Sequence, residues 1–540
     1  MTGALRLLAA TVLLHLVLIQ PNHPEAATLG ALVVFPLELP VIVLLLVAAG
    51  RGAAGLVLRI AVVGFLGLTM LLKAADLGAF IAFSRGFNPL VDLHLAHAGW
   101  TLLSGAVGTA PAVLALAGAA AATAAVTAAL WWATGVWARI PAGPLARGGA
   151  LALALPAAAL AAAEIGQARR AWTLPPELSR AIPGAAFTAR VAVERVEMVR
   201  ATLADLVAFR AAAEEDPMRA AGPLLDHLGD RDLILIYVES YGRSSFLNPL
   251  YAETHLGALR ETEAALAALG LAMRSGWATA PMAGGQSWLA HGSVATGLWL
   301  DTQARYRAML ASPRRSLFHF ARDAGRRTVA IKPAHVFPWP EGAAFGFDAI
   351  HDAAGLGYRG EPFNWVTMPD QFTLHALDRL ERDRPGRPPL VVQVALVSSH
   401  APWTPIPELV GWDEIGDGRI FDRWALSGDP PEVVWRDHDR VRDQFRLAVD
   451  YSLRAVGAWA ARHAGDPPLI VMLGDHEPAR FVAGVDGFDV PVHVIGPAHL
   501  VDRFAAAGWT EGMLPDPAAP PVRMDRMRDL LLTTLSSGAP

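Results

Sequence analysis

Four short stretches hold the residues best suited to chemistry. Glu239-Ser240 closes the apolar run Leu233–Val238, and Gly474-Asp475-His476 closes the run Leu469–Leu473. Two carboxylates and an imidazole are hard-oxygen and nitrogen donors. Glu239, Asp475 and His476 could therefore hold one divalent cation together, Zn²⁺ or Mn²⁺ before Mg²⁺. Three protein ligands leave a coordination position for a nucleophile or a substrate oxygen. In the third stretch, Gly284-Gly285-Gln286-Ser287, the glycines allow a tight turn and Ser287 falls where a helix should begin. The free N–H groups and positive dipole end of a helix start suit a phosphate or sulfate. A serine beside a cation loses its proton more readily and can attack phosphorus. The fourth stretch, Ser398-Ser399-His400, follows the run Leu390–Val397. Taken singly, each stretch has an ordinary explanation as a cap, a turn or a serine N-cap; the set points to chemistry.

Positioning these groups requires a sheet. The runs Leu233–Val238, Thr328–Ile331, Leu390–Val397, Leu469–Leu473 and Val490–Ile495 read as buried strands. Helical stretches at Thr254–Leu269, Leu317–Ala324, Asp370–Arg382 and Arg440–His463 separate them. The alternation predicts an α/β domain around a mainly parallel sheet, whose chemistry gathers at the carboxyl ends of the strands. Four of the five runs end in reactive groups, the second of them in Lys332-Pro333; the last ends in Gly496-Pro497 and reads as structural. The chain has 2 lysines, Lys73 and Lys332, against 43 arginines, so a retained lysine carries more information than an arginine. Lys332, His335 and Trp339 are candidates to line a substrate pocket, with Gln286 in the serine turn. Arg480 is placed to neutralise a phosphate, and Trp288 and Trp403 to stack on a head group or to pack. His493, inside a strand, reads as a satisfied core histidine.

Composition divides the chain. Of 540 residues, 53% are hydrophobic and 18% charged, and long apolar runs fill Met1 to Gly166. A transmembrane helix needs ~20 mostly apolar residues. Five spans are predicted: about Ala4–Gln20, Thr28–Gly50, Ala53–Leu72, Ala110–Trp137 and the shorter Gly148–Ile165. The first lacks a small-residue cleavage site and is read as a span, not a cleaved leader. Arginines in the loops lean to a cytoplasmic N-terminus, which puts the large C-terminal domain outside the cytoplasm. Glu38, Arg59 and Glu164 lie in or beside apolar spans, where helix-end placement or mutual pairing is the simpler reading and function the alternative. The expected organisation is a transmembrane part at 1–167, amphipathic linker helices at 168–230, a catalytic domain at 231–508 and a C-terminal tail at 509–540. A net charge of −5 argues against a nucleic-acid partner, and the absence of cysteine excludes disulfides, thiolate ligands and cysteine nucleophiles.

In order along the chain, Ile236-Tyr237-Val238-Glu239-Ser240-Tyr241-Gly242, Gly285-Gln286-Ser287, Ser399-His400-Ala401-Pro402 and Gly474-Asp475-His476-Glu477 resemble the sulfatase-like branch of the alkaline phosphatase superfamily. Within it, the chain is most similar to lipoteichoic acid synthases and lipid A phosphoethanolamine transferases. The likeness covers Asp232 to Pro497, and the apolar half is similar in layout only. The resemblance implies an alkaline-phosphatase-like α/β domain with a metal held by Glu239, Asp475, His476 and the nucleophile position. That position matches Ser287, where the transferases carry threonine. His400 matches a histidine that contacts the head group or leaving group, and Lys332 to Trp339 fall in part of the substrate pocket. True sulfatases convert the first residue of a Cys/Ser-x-Pro-x-Arg motif to formylglycine. The one near match, Ala311-Ser312-Pro313-Arg314-Arg315, begins with alanine, so that route is not expected.

The expected function is that of a multi-pass bacterial inner-membrane enzyme with a periplasmic catalytic domain. It moves a phosphorylated head group from a phospholipid donor to a glycan or lipid acceptor through a covalent serine intermediate, with Ser287 and His400 as catalytic residues. A hydrolase using the same residues is the alternative. A non-catalytic envelope binding protein is the rival from another class, and a transporter fits less well with a large external domain.

Overall fold

The computed structural model describes residues 3–539 except 84, 94, 95, 97, 98, 101, 102, 105–107, 176, 178–181, 338 and 365. Two compact units divide the chain, one of residues 1–81 and 85–204, the other of 82–84 and 205–540.

The first unit is helical. Its elements are α1 (Gly3–Ile19), α2 (Glu38–Ala49), α3 (Ala53–Phe83), α4 (Thr109–Ala138), α5 (Pro144–Ala168) and the start of α6 (Phe187–Glu214). Among the described residues, three helices are long and apolar enough to cross a membrane: Ala53–Ile81, Thr109–Ala138 and Pro144–Ala168. Of the five expected spans, these three are helices of that length, and the other two fall on the shorter apolar helices α1 and α2. The expected span Thr28–Gly50 breaks into a 3₁₀ turn at Leu29–Val33 and the 12-residue α2. Pro36 between them lacks an N–H and disfavours helix at Phe35. Twelve residues rise ~18 Å, short of the ~30 Å hydrocarbon core. The 17-residue α1 is also short of a full span, whereas α3 runs past Leu72 and carries Lys73 and Asp76 as buried residues.

Those charges are answered within the unit. Lys73 Nζ donates to Thr188 Oγ1 at 2.7 Å and to Leu18 O at 3.1 Å. Glu38 Oε1 accepts from Ala189 N at 2.8 Å, Glu164 pairs with Arg190 at 3.0 Å, and Asp76 pairs with Arg195. Arg59 lies 3.9 Å from the Trp131 ring centroid and donates to Trp131 O at 2.7 Å. Glu164 is therefore ion-paired with Arg190, whereas Glu38 accepts a backbone N–H, and neither pairs with Arg59.

The second unit is an α/β domain on a mixed sheet. Its strands are β1 (Leu233–Val238), β2 (Ala272–Thr279), β3 (Arg327–Lys332), β4 (Ala349–Asp352), β5 (Leu390–Ala395), β6 (Leu469–Gly474), β7 (Asp489–Gly496), β8 (Thr510–Glu511) and β9 (Val522–Arg523). They lie in the order β4-β3-β5-β1-β6-β7-β2-β8, with β9 beside β2. The segment β4-β3-β5-β1-β6 is parallel throughout, and β7 is antiparallel to both β6 and β2. Two reversals give β2 the same direction as β6. The carboxyl ends of β1, β2, β3, β5 and β6 therefore share one edge, where chemistry concentrates in open α/β sheets.

The strands of that parallel core are apolar on both faces because helices cover both. Ile234, Ile236 and Val238 of β1 pack with Leu259 of α7 (Pro249–Ala268). Leu233, Leu235 and Tyr237 pack on the other face with Leu289 and Val294 of α8 (Ser287–Thr296). On the first face α9 (Asp370–Leu377) contributes Phe372 and Leu374, and α10 (His438–Arg462) contributes Phe445 and Trp459. Residues 509–540 are integral to the second face. They supply β8, β9 and α11 (Met524–Thr534), whose Met524, Met527 and Leu531, spaced three and four apart, are fully buried. Strand β2 escaped the sequence reading because Arg274, Ser275 and Gly276 interrupt its apolar run. His493 is the satisfied core histidine expected of it, between Tyr241 Oη at 3.1 Å and Ser275 Oγ at 2.8 Å.

Candidate active site

Register brings the first two groups together. Val238 at the end of β1 pairs with Gly474 at the end of β6, so the next residues, Glu239 and Asp475, leave adjacent strands side by side. Gly474 makes this closeness possible, because a Cβ there would sit 1.8 Å from Tyr241 O. Asp475 Oδ1 accepts from Ser240 N and from His476 N, each at 2.8 Å, which locks the two strand ends to one another.

Glu239, Asp475 and His476 each present a ligand-type atom to one buried point, all within 4.8 Å of one another. His476 Nε2 is 3.2 Å from Glu239 Oε1. Its Nδ1–H donates to Glu477 O at 2.8 Å, which turns Nε2 toward the carboxylates. Burial works against charge on all three. Burial and the neighbouring Glu239 charge push Asp475 up to about 8. Burial acts on Glu239 too, but the His476 and His400 charges outweigh it and hold that carboxyl low. His476 is pushed up to about 10, its burial being overcome by Asp475 and Glu239. Asp475 and His476 thus both hold on to a proton beside the Glu239 carboxylate. A divalent cation would displace these protons and balance the carboxylate charge. The donor set of two carboxylate oxygens and one imidazole nitrogen fits Zn²⁺ or Mn²⁺.

The serine reaches this cluster through a strained loop. Gly284, Gly285 and Gln286 have φ of 76°, 138° and 67° in succession before α8 begins at Ser287. Left-handed backbone at a non-glycine residue such as Gln286 costs on the order of 1 kcal/mol and clusters at functional sites. Gly284 N donates to Glu477 O at 2.8 Å, the same carbonyl that orients His476, so one oxygen fixes both the serine turn and the imidazole. Ser287 Oγ ends 2.9 Å from Glu239 Oε2 and 3.1 Å from His476 Nε2. Ser287 and the Glu239–Asp475–His476 cluster, far apart in sequence, form one constellation.

A cleft opens over it, lined by Glu239, Gln286, Ser287, His291, Lys332, His335, Trp339 and His400 among others. Lys332 lies 5.3 Å from the Trp339 ring centroid. Its burial lowers the ammonium to about 7 despite the nearby Asp475 charge. Burial and Lys332 lower His335 to about 4. His400 Nδ1–H donates to Ala401 O at 2.6 Å, which fixes the proton of that nitrogen on the backbone. Trp288 also lines the cleft, with its Nε1 donating to Gln303 Oε1 at 2.9 Å.

Two predicted substrate residues lie elsewhere. Trp403 is buried, donates from Nε1 to Ser399 O at 2.6 Å and stacks on Trp435 with centroids 5.7 Å apart. It packs beneath the His400 loop and does not face the cleft. Arg480 pairs with Asp486 at 3.1 Å and is outside the cleft lining. Conversely, the sequence reading passed over two residues. His291 stands one helical turn after Ser287, a signal available in the i, i+4 spacing. Asp370, fully buried, accepts from Val397 N at 2.8 Å and Ser398 N at 2.9 Å and so holds the loop that carries His400. No local pattern marks it.

Residues 279–491 match the Sulfatase family model, so that stretch of the chain is similar to sulfatase domains. No curated protein matches the chain. Among solved structures, the chain is similar to the lipoteichoic acid synthase LtaP of Listeria monocytogenes (14% identity over 57% of this chain and 74% of that one, TM-score 0.36). It is similar to the C-terminal periplasmic domain of EptC from Escherichia coli (13% identity, 56% and 80% covered, TM-score 0.35). A third is the Streptococcus pyogenes phosphoglycerol transferase GacH, solved with sn-glycerol-1-phosphate (12% identity, 62% and 82% covered, TM-score 0.38).

Proposed function

We propose, on the premise that residues 279–491 form a sulfatase-like domain, that this chain transfers a phosphorylated head group from a membrane phospholipid to a glycan or lipid of the cell envelope. The observation that carries the reading is Ser287 Oγ within hydrogen-bond distance of both Glu239 and His476, at the mouth of a cleft.

The chain's own groups account for the proton and bond changes. Gln286 and the start of α8 aim Ser287 Oγ at the phosphorus of the donor. As the Oγ–P bond forms, the serine proton passes to Glu239 Oε2, the atom it already faces. The bond from phosphorus to the lipid alcohol breaks, and His400 Nε2 protonates the departing oxygen. The phosphorylated head group then remains on Ser287. An acceptor hydroxyl gives its proton to His400, attacks phosphorus and breaks the Oγ–P bond, and Ser287 recovers its proton from Glu239. Held by Glu239, Asp475 and His476, a divalent cation, Mn²⁺ or Zn²⁺, would supply Lewis-acid stabilisation of the charge on the transferred group. Lys332, His335 and Trp339 line the side of the cleft where the head group would lie. The reading puts the chain in the bacterial inner membrane with this domain on the periplasmic side; the three helices able to cross a membrane support the membrane location.

The test is the intact mass of the Ser287 peptide. The purified protein is incubated with Mn²⁺ or Zn²⁺ and a bacterial phospholipid extract, quenched with acid and compared with Ser287→Ala. A mass gain on Ser287, absent in the variant, supports the reading and names the group by its size. Release of free phosphorylated head group to water, with no acceptor product, would make the enzyme a hydrolase. Neither adduct nor release from metal-loaded, folded protein would overturn catalysis.

A further inference from the structure

One polar atom in the cleft wall has no part in the roles above. His291 is buried, 7% exposed, and lines the same cleft as Ser287. Its Nε2 has no hydrogen-bond partner. The nearest carboxylate oxygen, Asp475 Oδ2, is 3.8 Å away, beyond hydrogen-bond length. The ring is held on both sides. Tyr237 of β1 packs against it with centroids 4.0 Å apart, and Nδ1 is 3.4 Å from Lys332 Nζ. Lys332 is itself 4% exposed and fixed over Trp339.

The contact with Lys332 decides the tautomer. In its ammonium form Lys332 only donates, so Nδ1 then accepts and the ring proton sits on Nε2. A buried N–H without an acceptor is rare in folded proteins and calls for a partner that arrives later. That partner must be an acceptor, must enter the cleft one helical turn from Ser287, and must tolerate Lys332 alongside. An anionic oxygen satisfies all three conditions. Ligation of the cation by Nε2 would need its lone pair, hence a proton on Nδ1 facing the lysine ammonium. The three-residue cluster of possible ligands does not include His291.

We propose that His291, its tautomer set by Lys332, donates Nε2–H to a non-bridging oxygen of the phosphoryl group that Ser287 receives. This rests on Ser287 as the nucleophile. His291 would then be the donor that opposes the cation across the transferred group, where charge builds in the transition state.

The experiment uses the full-length protein in detergent, with Mn²⁺ and inorganic phosphate as probes. Titration calorimetry gives Mn²⁺ affinity first and then phosphate affinity of the Mn²⁺-loaded protein. His291→Ala is expected to weaken phosphate binding about tenfold or more while leaving Mn²⁺ affinity within about threefold. His291→Gln, whose amide N–H reaches toward the Nε2 position, is expected to recover part of the loss. Nitrogen NMR of the wild type should show the Nε2-protonated tautomer, and this holds the test open if His291→Ala fails to fold. Unchanged phosphate affinity in both variants, or an Nδ1-protonated ring, would overturn the proposal. A matching loss of Mn²⁺ affinity would make His291 a ligand instead, and overturn it as well. A wild type that binds neither probe would overturn the underlying reading of Ser287 and its metal site, a failure visible before any variant is made.

Discussion

Ser287 Oγ donates to Glu239 Oε2 at 2.9 Å, across 48 residues of chain. One residue follows strand β1; the other opens a helix after a loop from β2, three strands away in the sheet order β1-β6-β7-β2. Glu477 O closes the gap by binding Gly284 N and His476 Nδ1 at once. Several consequences of this arrangement can be measured.

Removing the hydroxyl should remove the covalent step. Ser287→Ala is expected to lower turnover about a thousandfold or more and to abolish the acid-stable adduct. Ser287→Thr keeps a hydroxyl at the same atom and should retain measurable turnover. Steady-state rates on a phospholipid extract, with Mn²⁺ affinity as a control for site integrity, check both.

Gly474→Ala should be damaging out of proportion to one methyl group. Its Cβ would meet the Tyr241 carbonyl at 1.8 Å, a backbone atom that cannot rotate away. Relief requires β1 and β6 to part where Glu239 and Asp475 leave them. The expected cost is on the order of 3 kcal/mol of stability together with lost Mn²⁺ binding. Thermal unfolding and calorimetry report the two effects separately.

Metal should stabilise the domain. The donor atoms of Glu239, Asp475 and His476 already converge on one buried point, so a cation binds the folded state and not the unfolded one. Chelator treatment is expected to lower Tm, and Mn²⁺ at 100 times its Kd to restore about 2.7 kcal/mol. Glu239→Gln should blunt the metal response, since an amide is a weaker ligand. No metal dependence of Tm would argue against the cation site.

Asp370 should act on catalysis without touching the cation cluster. Its carboxylate takes the N–H groups of Val397 and Ser398 and the hydroxyl of Ser452, the last at 2.6 Å. Asp370→Ala leaves these buried donors unpaired, costing about 3 kcal/mol, and loosens the loop bearing His400. The expected signature is a fall in kcat with Mn²⁺ affinity unchanged. A change in stability alone would leave Asp370 a structural residue.

Acid should weaken the domain through Glu381. Its carboxylate is fully buried and pairs with Arg327 at 2.7 Å and His351 at 2.8 Å. Burial alone would raise its pKa, but these two partners outweigh it and pull the group down to about 2 from the usual 4.5. A folded-state pKa below the unfolded one contributes stability above pH ~4.5 that fades as pH falls toward ~2. Thermal unfolding in detergent at pH 7 and pH 3 should show that loss, and Glu381→Gln should show a smaller difference between the two.

The sequence by itself determined the strands with continuous apolar runs and the chemistry that follows them. Leu233–Val238 and Leu469–Leu473 announce buried parallel strands because helices cover both faces. Glu239 and Asp475-His476 stand out because charged groups are costly directly after such runs. The sequence also marked the apolar half, but not where its helices begin and break. An apolar window does not register that Pro36 interrupts one helix, or that Lys73 is tolerated inside another once Thr188 and Leu18 accept from it. Only the tertiary structure decided which candidates meet. Arg480 and Trp403 looked as able as Lys332 and His335, yet Asp486 and Trp435 hold them elsewhere. His291 and Asp370 had no signature strong enough to single them out, since their roles come from partners far along the chain. The physical reason is range. Periodicity and capping act over a few residues, whereas a site is fixed by strand register, by glycines that let backbones touch, and by single carbonyls such as Glu477 O that bind two segments at once.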